Sequence, residues 1–317
     1  MDITLHLGAH RSASTSFQYY MRENSARLAA SGIGYWGPQE LRTGLLQGVF
    51  PSPGPVPAEK QLRRARGRIL LQIAKCEDAG IRQLVISDEN MIGAPRGCLR
   101  DMRLYPAIGE RMARHGAAFG SHVTRAVLSI RAQDAWWRSA IAFGVARGAR
   151  VPTAAELAHI AAGMRSWRDV ITDLACALPQ AQLLILPHEC FAALPERRLA
   201  AMLDRESVPQ THAREWLNRA PDLPALRAAL IAREGDASAL PPGDGLWQPF
   251  SGAERAAMRE AYADDLFWLR SGADGLATLI EEPGPDQAGQ TPQVEAQTRG
   301  QGHDEEGARR MAQAGRG

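Results

Sequence analysis

Apolar residues fall along this chain in two rhythms. Ile3, Leu5 and Leu7 alternate with Thr4 and His6, the period-two pattern of a strand over residues 3–7 packed on one side. Three other runs are continuous: Leu84-Val85-Ile86, Ala126-Val127-Leu128 and Leu183-Leu184-Ile185-Leu186. Such runs suit parallel strands covered on both faces, and they predict strands over 83–87, 122–130 and 182–187. A short strand is expected at 33–36. The stretches between follow a helical period. Phe17, Tyr20, Met21 and Leu28 form one stripe of a helix over 16–31, stopped by Gly32. Leu62, Ile69, Leu70 and Ile73 do the same for 58–79. Further helices are expected over 105–115, 134–147, 154–163 and 166–178, then at 195–203, 212–219 and 223–233. A final helix opens on the capping box Ser251-Gly252-Ala253-Glu254 and packs through Met258, Tyr262, Leu266 and Leu269. Residues 37–57, 91–104 and 236–250 hold the proline and glycine clusters and read as loops. Strands alternating with helices predict a three-layer α/β/α fold on a mainly parallel sheet over residues 1–282. From Pro283 onward glycine, glutamine and charge replace apolar residues, which predicts a disordered tail over 283–317.

Composition narrows the classes. The chain has 317 residues, ample for a full core, and a formal charge of +2. So balanced a charge argues against bulk attraction to nucleic acid. No apolar run approaches the ~20 residues of a membrane span. A strand starting at residue 3 leaves no space for a secretory leader, so the expected compartment is the cytoplasm. Cys76, Cys98, Cys176 and Cys190 are scattered without a C-x-x-C pair. They are expected as mostly buried thiols, with neither a disulfide framework nor a metal site.

The candidate chemistry begins where the first strand ends. Gly8-Ala9-His10-Arg11-Ser12-Ala13-Ser14-Thr15 is a turn of mostly small and hydroxyl-bearing residues, with a helix expected from about Ser16. Backbone N–H groups in such a turn converge on an anion at the positive end of the helix. Arg11, Ser12, Ser14 and Thr15 add side-chain donors. Against the nucleotide-binding pattern G-x-x-x-x-G-K-[ST], Gly8 and Thr15 fit, but Ala13 replaces the second glycine and Ser14 the lysine. The only two lysines, Lys60 and Lys75, lie elsewhere. The pattern Gly-x-x-[KR]-[ST]-[GA]-[ST]-[ST] fits better, on Gly8, Arg11, Ser12, Ala13, Ser14 and Thr15. It resembles the 5′-phosphosulfate loop of sulfotransferases that use 3′-phosphoadenosine 5′-phosphosulfate (PAPS), bacterial members included. Ala13 stands where that family usually has glycine.

A second stretch carries the resemblance further. Arg131 ends a strand, and Ser139 follows eight residues later inside the next helix. The family has an arginine and a serine at this spacing, which grip the 3′-phosphate of PAPS. A guanidinium fork beside a hydroxyl suits phosphate oxygens. Asp134, Trp136 and Trp137 lie between, readable also as a helix cap and core. His188-Glu189 resembles a segment ending a late strand in the family, with His188 in place of a tyrosine. Glu189 reads as a polar anchor and His188 as a scaffold residue. Tyr262 to Leu266 resembles the family's closing helix, so the likeness spans residues 3–270.

The resemblance implies a P-loop-like nucleotide-binding fold. It implies an enzyme that moves a sulfuryl group from PAPS to a hydroxyl of a carbohydrate, lipid or small molecule, without a metal. Arg11 and the N–H groups from Ser12 through Ala13, Ser14 and Thr15 to Ser16 would hold the departing 5′-phosphate. Arg131 and Ser139 would hold the 3′-phosphate. Glu89 is the expected base for the acceptor's proton, as in some carbohydrate sulfotransferases, and His10 is the second candidate. Asp88 and Glu89 follow a strand, at the end where open α/β sheets bind ligands. The loops 37–57 and 91–104 are expected to choose the acceptor. Two other classes stay open. A kinase or nucleotide hydrolase could use Asp88 for metal but lacks the lysine, and a non-catalytic nucleotide-binding protein needs no base at all.

Overall fold

A computed structural model describes residues 1–281. The tail expected over 283–317 lies outside the described residues. Six strands, β1 (Asp2–His6), β2 (Ile33–Trp36), β3 (Gln83–Ser87), β4 (Val123–Ile130), β5 (Gln182–Pro187) and β6 (Thr278–Leu279), pair in the order β2-β3-β1-β4-β5-β6. Every pairing is parallel. Alternation across the sheet explains the continuous apolar runs. Leu84, Ile86, Ala126, Leu128, Leu183 and Ile185 join one core with Ile3, Leu5 and Leu7. Val85, Val127, Leu184 and Leu186 join a second core on the other face. Helices Ser14–Glu23 and Pro195–Leu203 cover that second face with Phe17, Tyr20, Met21, Leu199 and Met202. Helices Ala58–Asp78, Ile108–Phe119, Gln133–Ala146, Trp167–Ala177 and Gly252–Arg270 cover the first. The result is a three-layer α/β/α fold. Among the described residues no helix is long and apolar enough to cross a membrane.

Several local expectations change, each for a visible reason. β1 is not packed on one side. It is a central strand, and its polar alternates Thr4 and His6 are buried. His6 Nδ1 lies 2.7 Å from Ser87 Oγ of β3, with its ring against Phe17. A polar group can face an interior once it is hydrogen-bonded. The first helix starts at Ser14 and breaks at Asn24, with a second helix over Ser25–Ala30. Buried Asn24 donates its amide to the carbonyls of Tyr20 and Thr211, both at 2.9 Å, in competition with helical bonding. The helix expected over 105–115 runs instead over Ile108–Phe119, through Gly116. A Cβ there would meet Leu178 Cδ2 at 2.9 Å, so the glycine admits a close neighbour instead.

The loops are more structured than their glycines and prolines suggest. Residues 37–57 contain the turns Pro38–Glu40 and Leu41–Leu45, held down by buried Leu41 and Val49. Residues 91–104 contain the helix Pro95–Asp101, which Pro95 opens, since a first-turn proline loses no helical bond. Conversely, the helix expected over 212–219 does not form; that stretch is irregular. Only Cys98 of the four cysteines is buried, and Cys176 is exposed.

Candidate functional site

From β1 the chain builds β3 and β2 on one side and β4, β5 and β6 on the other. The carboxyl ends of β1 and β4 thus border the switch-point crevice of an open parallel sheet. The loop after β1 is fastened there. Leu7 and Ala9 donate their N–H groups to Val127 and Ser129 carbonyls at 2.9 and 3.0 Å. Trp136 Nε1 donates to the His10 carbonyl at 2.8 Å. Gly8 has φ +84°, and a Cβ on it would meet Glu89 Cβ at 2.9 Å. Only glycine lets the loop lie so close to Glu89.

Ala13 caps the helix Ser14–Glu23 in the left-handed conformation, at φ 64°. That conformation costs a residue with a Cβ about 1–2 kcal/mol, against about 0.5–1 kcal/mol for glycine's extra chain entropy. Ala13→Gly is therefore expected to stabilise the fold by about 0.5–1 kcal/mol, read by urea unfolding. A loss of about 1 kcal/mol, usual for glycine inside a helix, would contradict this turn. Past Ala13 the first helical bond runs from Phe17 N–H to the Ala13 carbonyl at 3.1 Å. The N–H groups of Ser14, Thr15 and Ser16 thus have no carbonyl one turn back.

The two informative stretches meet. Arg11 Nε donates to Ser139 Oγ at 2.9 Å, and Arg131 Nη1 donates to the Arg11 carbonyl at 2.8 Å. Arg11, Ala13, Ser14, Thr15, Arg131 and Ser139 line one cavity of about 500 Å³, with His10 and Glu89. Ser12 and Ser16 are buried beneath it and use their hydroxyls internally. Ser12 Oγ donates to the Ala9 carbonyl, and Ser16 Oγ accepts from Leu217 N–H at 2.9 Å. Their expected contribution is thereby confined to backbone N–H groups.

Arginines outnumber carboxylates in the cavity lining, where Arg11, Arg131, Arg138 and Arg219 face Glu89. Among the described residues Arg11, Arg131 and Arg138 form no ion pair; Asp134 pairs with Arg259 at 2.9 Å instead. Burial, then the nearby Arg131 and Arg147, pulls Arg11 down to about 10. Burial, then Arg138, lowers Arg131, and burial lowers Arg138. Clustered cations without counter-ions are unfavourable, and a multiply charged anion would relieve them.

The acid–base candidates differ in what they touch. Glu89 lines the cavity; Gln18 Nε2 donates to its Oε2 at 2.6 Å, and Arg42 lies 3.6 Å from its Oε1. His10 has both ring nitrogens engaged. Nε2 is 3.1 Å from Asn90 Oδ1, which can only accept, and Nδ1 is 3.1 Å from the Tyr105 hydroxyl. These partners assign the proton to Nε2. Burial lowers the His10 pKa, so the ring is a neutral strut of the loop. Asp88 is closed off by Arg42, through Nη2–Oδ1 at 2.6 Å and Nε–Oδ2 at 3.0 Å, and it caps Asn90 N–H at 2.9 Å. Glu189 accepts from Ala132 N–H at 3.1 Å and from the Tyr262 hydroxyl at 2.9 Å, an anchor between β4 and the last helix. His188 does more than scaffold. It lines the cavity, and its Nδ1 has no partner among the described residues.

Sequence reasoning missed Arg42, Arg138 and the segment Trp216–Ala220. The last crosses the loop through Leu217 N–H, and Asn218 Nδ2 donates to Thr15 Oγ1 at 3.4 Å. Arg138 was legible as the residue before Ser139, one turn from Asp134. The strap had no signal, because its contacts join residues about two hundred positions apart. No protein-family model matches the chain, and no curated protein matches it.

Proposed function

We propose that the chain transfers a sulfuryl group from PAPS to an alcohol. The observation that carries the reading is the junction of Arg11, Ser139 and Arg131 on one cavity wall. Three arginines that form no ion pair among the described residues, and three first-turn N–H groups, fit a ligand bearing more than one phosphate-type anion. The cavity volume lies within the usual ~300–1,000 Å³ of ligand clefts. A kinase reading is disfavoured, since Arg42 occupies Asp88 and the loop has no lysine.

In this reading the acceptor oxygen forms a bond to sulfur. The sulfur's bond to the 5′-phosphate oxygen breaks, and that oxygen keeps the electron pair. The hydroxyl proton goes to Glu89. The products are a sulfate ester and 3′-phosphoadenosine 5′-phosphate (PAP). Arg11 and the N–H groups of the first turn would stabilise charge growing on the leaving phosphate, which is the main demand of such a transfer. Arg11 supplies charge and not a proton.

A thermal-shift panel tests the nucleotide. At a hundred times Kd, PAP should add about 2.7 kcal/mol, or about 5–10 °C in Tm for a domain of this size. ADP and ATP with magnesium should shift it less. Arg131→Met should weaken PAP about 10–100-fold, as loss of a charge-assisted bond does, and leave ADP nearly unchanged. A larger shift with ATP and magnesium than with PAP would reverse the assignment.

A further inference from the structure

A second cavity, of about 570 Å³, adjoins the first, and Pro95 and Phe143 line both. Its walls come from three helices, Pro95–Asp101, the end of Gln133–Ala146, and Ala154–Ala161. Leu99, Met102, Ile141, Val145 and Ile160 make those walls apolar. Four arginines stand around them, and they divide into two kinds. Arg100 pairs with Asp101 at 2.7 Å, and Arg150 pairs with Glu156. Arg96 and Arg147 form no ion pair among the described residues.

Arg96 and Arg147 adjoin the two residues that line both cavities, Pro95 and Phe143. Arg96 follows Pro95 directly, and Arg147 lies 4.0 Å over the Phe143 ring. Arg11 lies 4.7 Å from the same ring, from the other cavity. An acceptor extending from the second cavity towards Glu89 would cross this ring, which lines both cavities. Its body would then rest against the apolar walls, and any charge beside its hydroxyl would meet Arg96 and Arg147. A sugar fits the apolar walls poorly, because hydroxyls turned towards them would lose water without gaining a partner.

We propose that this second cavity holds the acceptor, and that the acceptor is an amphiphilic alcohol with an apolar chain and an anionic group close to its hydroxyl. The inference rests on the PAPS reading for what happens to that hydroxyl, and on the cavity alone for what binds. It narrows the carbohydrate, lipid and small-molecule acceptors to one chemistry, and it gives the helix Pro95–Asp101 a role in selection.

The test uses the full chain, calorimetry, and two probes of equal length, 3-hydroxydecanoate and decan-2-ol, each with and without PAP. The acid should bind at least tenfold tighter than the neutral alcohol. Arg147→Met and Arg96→Met, both at exposed positions, should each remove about tenfold for the acid. Both should leave decan-2-ol unchanged, and Arg96→Met should also leave the PAP melting shift unchanged. Leu99→Trp, which fills the cavity, should abolish binding of both probes, with circular dichroism to check its fold. Equal affinity for the two probes overturns the anionic part. Arginine variants that weaken PAP as much as the acid would return those residues to the nucleotide and overturn the proposal. So would tight binding of a neutral sugar alone. Failure of PAP itself to bind, with the acid still bound at the second cavity, would instead count against the nucleotide reading.

Discussion

Glu89→Gln is expected to lower turnover by about 10²–10⁴-fold, the range of a lost general base, while PAP still raises the melting temperature. Glutamine keeps the volume of the side chain, and its carbonyl can still accept from Gln18, which now donates to Glu89 Oε2 at 2.6 Å. What it loses is a site for the acceptor's proton. Of the two bases expected from the sequence, Glu89 and His10, both line the cavity, and Glu89 keeps the less engaged atom, Oε1, 3.6 Å from Arg42. His10 has both nitrogens occupied, and Asp88 is locked to Arg42. His10→Gln should accordingly cost stability more than turnover. The measurement is transfer of labelled sulfate from PAPS to whichever alcohol the wild type accepts in a screen, beside a melting curve with PAP. Turnover within threefold of wild type would remove Glu89 from the role. Loss of the PAP shift along with turnover would mean that Glu89 shapes the loop, through its contact with Gly8, and does not take the proton.

Mild acid is expected to destabilise this protein. Burial, then Arg111, pushes His115 to about 3, against a weaker opposing pull from Asp88. Its neighbours include Phe50, and neither ring nitrogen has a hydrogen-bond partner among the described residues. Burial, then Arg131 and Arg198, pushes His188 to about 3 as well. Both folded values lie below the unfolded value of about 6.5, so the unfolded chain binds the protons. The stability of the neutral rings is complete above about pH 6.5 and is lost progressively as pH falls towards 3. At pH 5 each ring would contribute a loss of about 2 kcal/mol, or about 4 kcal/mol together, a large part of a typical 5–15 kcal/mol. Urea titrations at pH 7.5 and pH 5 should show that fall. His115→Phe, next to Phe50, should remove about half of it. A difference below about 1 kcal/mol between the two pH values would show that these rings are solvated in the fold.

The loop glycine and its neighbours were legible because their constraint is local. A strand, a small-residue turn and a helix start within fifteen residues are written in side-chain size and backbone freedom, and Gly8 and Ala13 take the positive φ that such a turn demands. The sheet was legible for a similar reason. A strand covered on both faces must be apolar at consecutive positions, as Leu84-Val85-Ile86 is. β1 misled because a central strand can bury Thr4 and His6 if partners such as Ser87 wait on the next strand, and the partner lies 81 residues away. Pro95 and Gly97 read as loop residues, although one opens a helix and the other sits inside it.

By itself, then, the chain's local pattern determined the alternating elements, the parallel sheet and the small-residue turn after β1, because period, size and φ act between near neighbours. Tertiary structure alone decided that Arg11 rests on Ser139, that Asp88 is sealed by Arg42, and that residues 216–220 lie over the turn. It also decided that an apolar cavity, with two arginines that form no ion pair among the described residues, opens beside the charged one. Those outcomes depend on which distant side chains the packing brings within 3–4 Å and which charges it leaves without partners. No periodicity in a single sequence encodes that selection.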